Sequence, residues 1–157
     1  MADLLVRLYD LPPLAPAVEA LSAAGIALRR AAAAERGPVV DWVRAHGSAG
    51  WASECALAFA RQPLACFVAV EQERLIGFAC YEATCRNFFG PELVLPERRG
   101  RGVGRALLLA ALEAMRAEGY AYAVIGWASS AEFYQRAVGA IPIDGSERGI
   151  YPAKLLR

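Results

Sequence analysis

One lysine, Lys154, and one histidine, His46, are all that the sequence offers of two of its common chemical tools. A lone imidazole, with Cys55, Cys66, Cys80 and Cys85 forming no CxxC pair, lacks the spacing of a zinc site, so no metal is expected. The four thiols read instead as buried or half-buried groups in a reducing cytoplasm. No run approaches the roughly 18 to 20 apolar residues of a membrane span. The opening Met1-Ala-Asp-Leu-Leu-Val-Arg has neither the basic region nor the apolar core of a secretory signal. An excess of charge is also missing: 17 basic residues face 16 acidic ones, for a net +1. That balance supplies no whole-protein field for nucleic acid or an anionic membrane.

What is present suits one folded domain, with 57% hydrophobic and 21% charged residues in 157. Leu4 to Tyr9 predicts a short strand, and Pro16 opens a small helix that ends before Gly25. Ile26 to Ala31 predicts another strand, although the alanines that follow argue equally for helix. Pro38 to Ala45 and Trp51 to Arg61 predict two helices, the second aligning Trp51, Cys55, Ala58 and Phe59 on one face. Ala65–Val70 and Leu75–Tyr81 form a predicted antiparallel hairpin, followed by a strand from Phe88 to Leu95 broken or bulged at Gly90-Pro91.

Gly104 to Glu118 is the clearest helix, with Leu107, Leu108, Ala111, Leu112 and Met115 in a single stripe. Tyr120 to Trp127 predicts a central strand. Ser129 and Glu132 form a capping-box pattern before a helix carrying Phe133 and Tyr134. Ile141–Ile143 and Ile150–Leu156 predict closing strands. The order gives an α/β (α+β) class, a mixed sheet with helices on its faces.

The stretch Val94-Leu-Pro-Glu-Arg-Arg-Gly-Arg-Gly-Val-Gly-Arg105 joins a strand to the clearest helix. A glycine-rich turn at a helix N-terminus presents outward N–H groups and about half a positive charge. Gly100, Gly102 and Gly104 leave room for a pyrophosphate to reach the backbone, and Arg98, Arg99, Arg101 and Arg105 surround it with cations. The glycine spacing is not GxGxxG, and no Gly-Lys-Ser/Thr follows, which disfavours dinucleotide and P-loop folds. A basic tract that touches nucleic acid ranks last, because residues 98–105 contain no aromatic to stack on bases.

Arg99-x-x-Gly102-x-Gly104 matches the (Gln/Arg)-x-x-Gly-x-(Gly/Ala) signature of the GNAT superfamily. The flanking Val94-Leu-Pro-Glu and Arg105-Ala-Leu-Leu resemble that family too. The resemblance runs from about Ile26 to the C-terminus, so residues 26–157 are expected to form the acyl-CoA-binding domain and residues 1–25 an extension packed on it. It implies a sheet splayed open between the strand ending at Val94 and the strand at Tyr120–Trp127. Pantetheine would lie in that gap against the backbone of Leu93 and Val94, with pyrophosphate on Arg99, Gly100, Arg101, Gly102, Val103, Gly104 and Arg105.

The resemblance also implies an N-acetyltransferase that moves an acetyl group from acetyl-CoA to an amine by direct attack. Tyr134 would protonate the departing thiolate. Glu92, on the strand leading to the loop, is the candidate to take the amine proton, with Glu82 on the neighbouring hairpin and Glu54 on the second helix as rivals. A regular strand would put Glu92 on one face with Phe88 and Val94. Trp51, Glu54 and Tyr81 are the acceptor-site candidates, in a wider set with Trp42, His46 and Tyr151. The implied partners are acetyl-CoA as co-substrate and a small-molecule or peptide amine. Neither nucleic acid nor membrane is expected, a homodimer is compatible, and the implied location is cytoplasmic. The alternative is a non-catalytic CoA-binding or regulatory module.

Overall fold

The computed structural model describes residues 1–150. Seven strands form one mixed sheet: β1 (Leu4–Arg7), β2 (Ile26–Arg30), β3 (Cys66–Glu71), β4 (Arg74–Tyr81), β5 (Phe88–Val94), β6 (Tyr122–Ile125) and β7 (Ile141–Pro142). Their spatial order is β2-β3-β4-β5-β6-β1-β7. The helices are α1 (Ala15–Ala23), α2 (Arg36–His46), α3 (Ala49–Ala58), α4 (Val103–Ala117) and α5 (Ala131–Val138). The first strand is an interior member of the sheet, antiparallel to both β6 and β7.

The two faces follow from the β4 register. Gly77 faces α4, because a Cβ built there would lie 3.1 Å from the Leu107 side chain. Its neighbour Phe78 faces the other way and meets the Trp42 ring of α2 edge-on. The expected stripe of α4 is wholly buried, from Leu107 to Met115. Leu109 and Ala110 are buried as well, since α1 and the turn after β1 cover a second side of that helix. Among the described residues no helix is long and apolar enough to cross a membrane.

Gly77 also lies 3.1 Å, at its Cβ position, from the Leu93 carbonyl, so it lets α4 and β5 close on the same point. We expect Gly77→Ala to cost about 1–3 kcal/mol in chemical denaturation, because neither backbone nor helix can yield cheaply there.

Several expected boundaries shift. The β6 strand is four residues long rather than spanning Tyr120–Trp127. The α5 cap falls on Ser130, whose side chain makes no capping bond, so the Ser129–Glu132 box does not form. Trp51 is 37% exposed, while Ala52 takes the buried place beside Cys55 and Ala58. Ile141–Ile143 shortens to the two residues of β7. Most of the expected closing strand Ile150–Leu156, and Tyr151 with it, lies outside the described residues.

Candidate active site

The sheet opens where β5 meets β6. These strands are parallel and pair only at Phe88 with Val124 and Phe89 with Ile125. β6 ends at Ile125, whereas β5 continues to Val94, so among the described residues the second half of β5 has no neighbouring strand on that side. The expected gap thus begins at Gly90, and Leu93 and Val94 border it.

The strand is not regular at that point. Phe89 stands opposite Tyr81 and Glu92 opposite Ala79, so an extra β5 residue is fitted in between. This bulge at Gly90-Pro91 reverses the expected facing: Glu92 and Val94 share a face with Phe89, and Phe88 is turned away. The consequence is chemical. Phe89 packs edge-on against Tyr134 at 6.3 Å between ring centroids, and the Tyr134 hydroxyl donates to Glu92 Oε2 at 3.5 Å. A residue-count error of one would have sent Glu92 to the opposite face.

The Glu92 carboxyl lies beside the first turn of α4. Its Oε1 is 3.6 Å from the Cβ position of Gly104, where Phe133 and Val94 also converge. Although some of the residue reaches solvent, Oε1 is buried and has no hydrogen-bond partner. Burial disfavours the charged form and pushes the Glu92 pKa up to about 8, with the Tyr134 hydrogen bond opposing only part of that shift. Burial, followed by the Glu92 charge, drives the Tyr134 phenol well above its ordinary range, so it keeps its proton at neutral pH. A methyl group at Gly104 would meet Glu92, Phe133 and Val94 at ordinary contact distances of 3.6–3.7 Å.

The loop above this pair is held in place. Arg98 and Arg101 both bind Glu71, at 2.7 and 2.8 Å. These arginines lower the pKa of Glu71, Arg101 contributing more. Two of the four expected loop cations thus anchor the loop to the β3–β4 turn. Arg99 donates through Nε to the Val94 carbonyl at 3.2 Å. Arg105 is exposed and makes no ion pair among the described residues. Gly102 caps α4 with φ +83°, in the left-handed region, and the first turn of Val103, Gly104 and Arg105 follows it.

The acceptor candidates lie apart from one another. Tyr81 is completely buried, receives a hydrogen bond from Arg30 at 2.8 Å and donates to Glu118 at 2.5 Å. Burial and the Glu118 carboxylate push its pKa up to about 12. Glu54 accepts from Thr84 at 2.8 Å, with its pKa raised by burial. Trp51 sits at the open start of α3, where its amide donates to Ser48, and Trp42 stacks on His46 at 4.5 Å. The spacing rules gave no sign of Glu71 as the loop's counter-ion, because it lies 27 and 30 residues away in sequence. They also missed the meeting of Cys55, Cys66 and Cys80.

An opened mixed sheet, a glycine-rich helix start and a half-buried Glu–Tyr pair beneath it meet at the end of β5. Residues 62–137 match the family model described as an acetyltransferase (GNAT) domain. Over those residues the chain is similar to GNAT acetyltransferase domains.

Comparison with curated protein sequences gives no match. Solved structures share the fold. The glucosamine N-acetyltransferase region of a fungal multi-domain GH3 β-N-acetylglucosaminidase is 17% identical, with a TM-score of 0.72 over 90% of this chain and 19% of that one. A GCN5-related N-acetyltransferase from Sphaerobacter thermophilus is 19% identical, with a TM-score of 0.65 over 90% of this chain and 48% of its own. A Brucella melitensis GNAT acetyltransferase in complex with acetyl-CoA is 20% identical, with a TM-score of 0.50 over 71% of this chain and 80% of its own. This chain spans less than half the length of the first two.

Proposed function

We propose that the protein transfers an acetyl group from acetyl-CoA to an amine of a small molecule or peptide by direct attack. The observation that carries this is the half-buried Glu92–Tyr134 pair at the point where β5 and β6 part. Residues 26–157 form the acyl-CoA-binding domain, and the first 25 residues are an extension that contributes β1 and α1 to it.

The residues fit acetyl-CoA. The free edge of β5 at Leu93 and Val94 can hydrogen-bond an amide-bearing chain such as pantetheine. The first-turn amides of α4, with Arg105, suit a pyrophosphate. When bound, acetyl-CoA supplies an activated acyl carbon and a thiolate leaving group.

An ammonium has no lone pair, so the acceptor must lose a proton before it attacks. Glu92, with a pKa near 8, is poised to take that proton close to neutrality. Tyr134 keeps its proton at neutral pH and is the donor that would face a thioester sulfur in the gap as charge leaves on it. Transfer through an acetyl-cysteine is not needed: Cys55, Cys66 and Cys80 are sealed in the core, and Cys85 has its pKa raised by burial.

Turnover of acetyl-CoA against a panel of amines tests the proposal. Thiol release with at least one amine is expected, and Tyr134→Phe should slow it about 100-fold while leaving CoA affinity unchanged. Tight CoA binding with no thiol release across the panel would support the non-catalytic module instead. Full activity of Tyr134→Phe would remove that residue from the mechanism.

A further inference from the structure

Three of the four cysteines meet in the core, on the opposite side of the sheet from α4. Cys66 and Cys80 are directly opposed on β3 and β4, and Cys55 descends from α3 above them. All three have zero exposure, and their Sγ atoms lie within 4.8 Å of one another. Directly opposed strand residues hold their Cβ atoms about 4.5–5.5 Å apart, so the pair is fixed by the sheet and only Cys55 depends on helix packing. Among the described residues no fourth His, Cys, Asp or Glu joins the group.

Three sulfurs without a fourth ligand select the occupant. Structural zinc is almost always four-coordinate, and three thiolates on a divalent ion would leave one negative charge in an apolar core. The two charged residues whose fields reach the trio, Arg36 at Cys55 and Glu35 at Cys66, are of opposite sign and supply no net compensation. An uncharged product therefore requires a trivalent, three-coordinate, thiophilic centre. Three-coordinate arsenic(III) keeps a lone pair and is pyramidal, so bonds of about 2.3 Å, as for zinc–thiolate, set its sulfurs roughly 3.5 Å apart, a spacing the three Sγ atoms, all within 4.8 Å of one another, reach by small shifts.

We propose that Cys55, Cys66 and Cys80 form a three-thiol site for a trivalent thiophilic ion of the arsenous acid type. Arsenous acid would exchange its three hydroxyl groups for three sulfurs. Three As–O bonds break, three As–S bonds form, and each S–H proton leaves with a hydroxyl as water. Nothing is oxidised or reduced. Entry requires α3 to lift locally from the sheet, so loading is slow and the loaded site ties α3 to β3 and β4.

The test is to incubate the reduced, full-length protein with sodium arsenite and measure its intact mass, thiol count and melting temperature. One arsenic per chain with loss of three hydrogens is expected, together with a higher melting temperature and unchanged CoA affinity. After denaturing alkylation, peptide mapping should find Cys85 labelled and the other three protected. Cys85→Ala should load as the parent does, and Cys55→Ala, Cys66→Ala or Cys80→Ala should each abolish the three-sulfur adduct. Absence of an adduct would overturn the proposal, as would a two-sulfur adduct that keeps a hydroxyl or involvement of Cys85. Tight binding of one Zn²⁺ per chain with no arsenic uptake would overturn it equally. The parent protein's protection map decides the matter even where a core variant fails to fold.

Discussion

Replacing Glu92 with glutamine should slow acetyl transfer about 10²- to 10⁴-fold and at the same time make the protein more stable above neutral pH. Both effects have one cause. Oε1 of the carboxyl group is buried and has no hydrogen-bond partner. The parent's turnover should rise with pH through about 8 as Glu92 becomes a base. Glu92→Gln should flatten that rise, leaving only the titration of the acceptor itself.

The stability effect follows from linkage. Unfolded, Glu92 ionises near 4.5; folded, it holds its proton to about 8. Between those values the native state binds more protons than the unfolded state, so stability is fully present below 4.5 and declines as pH rises. Glutamine has no such proton to lose. The variant should match the parent near pH 4 and exceed it by an amount on the order of a few kcal/mol at pH 8, measured by denaturant unfolding at both values. Equal stability at pH 8 would mean that the carboxylate finds solvent or a donor, and the proposed base would lose its physical basis.

How much of this was legible in the sequence depended on whether a feature was local. The Arg99-x-x-Gly102-x-Gly104 turn and the α4 stripe are written in consecutive residues, and the structure forms a turn and a buried helix face there. Gly139 sits in the left-handed conformation at the end of α5, and Tyr134 on that helix reaches Glu92. The facing of Glu92 was not legible. Alternation along a strand fails at a bulge, and Gly90-Pro91 signals an irregularity without saying which residue it displaces. Contacts made through the sheet were silent for a different reason. Glu71 reaches Arg98 and Arg101, and Cys55 meets Cys66 and Cys80, only because the β3–β4 register and the α3 packing bring distant residues together. No window along the chain contains those partners.

Gly102→Glu should abolish CoA binding while leaving the fold intact. The open space around the Gly102 Cβ position, with nothing within 4 Å, means that a larger side chain meets no neighbour. Its cost to folding is confined to holding a non-glycine residue at φ +83°, roughly 1–2 kcal/mol. Its cost to binding is larger. The carboxylate would stand at the N-cap of α4, where it satisfies the first-turn amides and the positive helix end that a pyrophosphate would otherwise use. A negative group already in the cradle repels the ligand as well as occupying its donors. Calorimetric titration with CoA should show affinity reduced by more than about 100-fold, a loss of roughly 2.7 kcal/mol or more. Gly102→Ala carries the same backbone strain without the charge and should retain most of the affinity. If both variants lose binding equally, the conformation at residue 102 is what CoA requires. If neither does, the pyrophosphate does not rest on this turn, and the assignment of the loop fails.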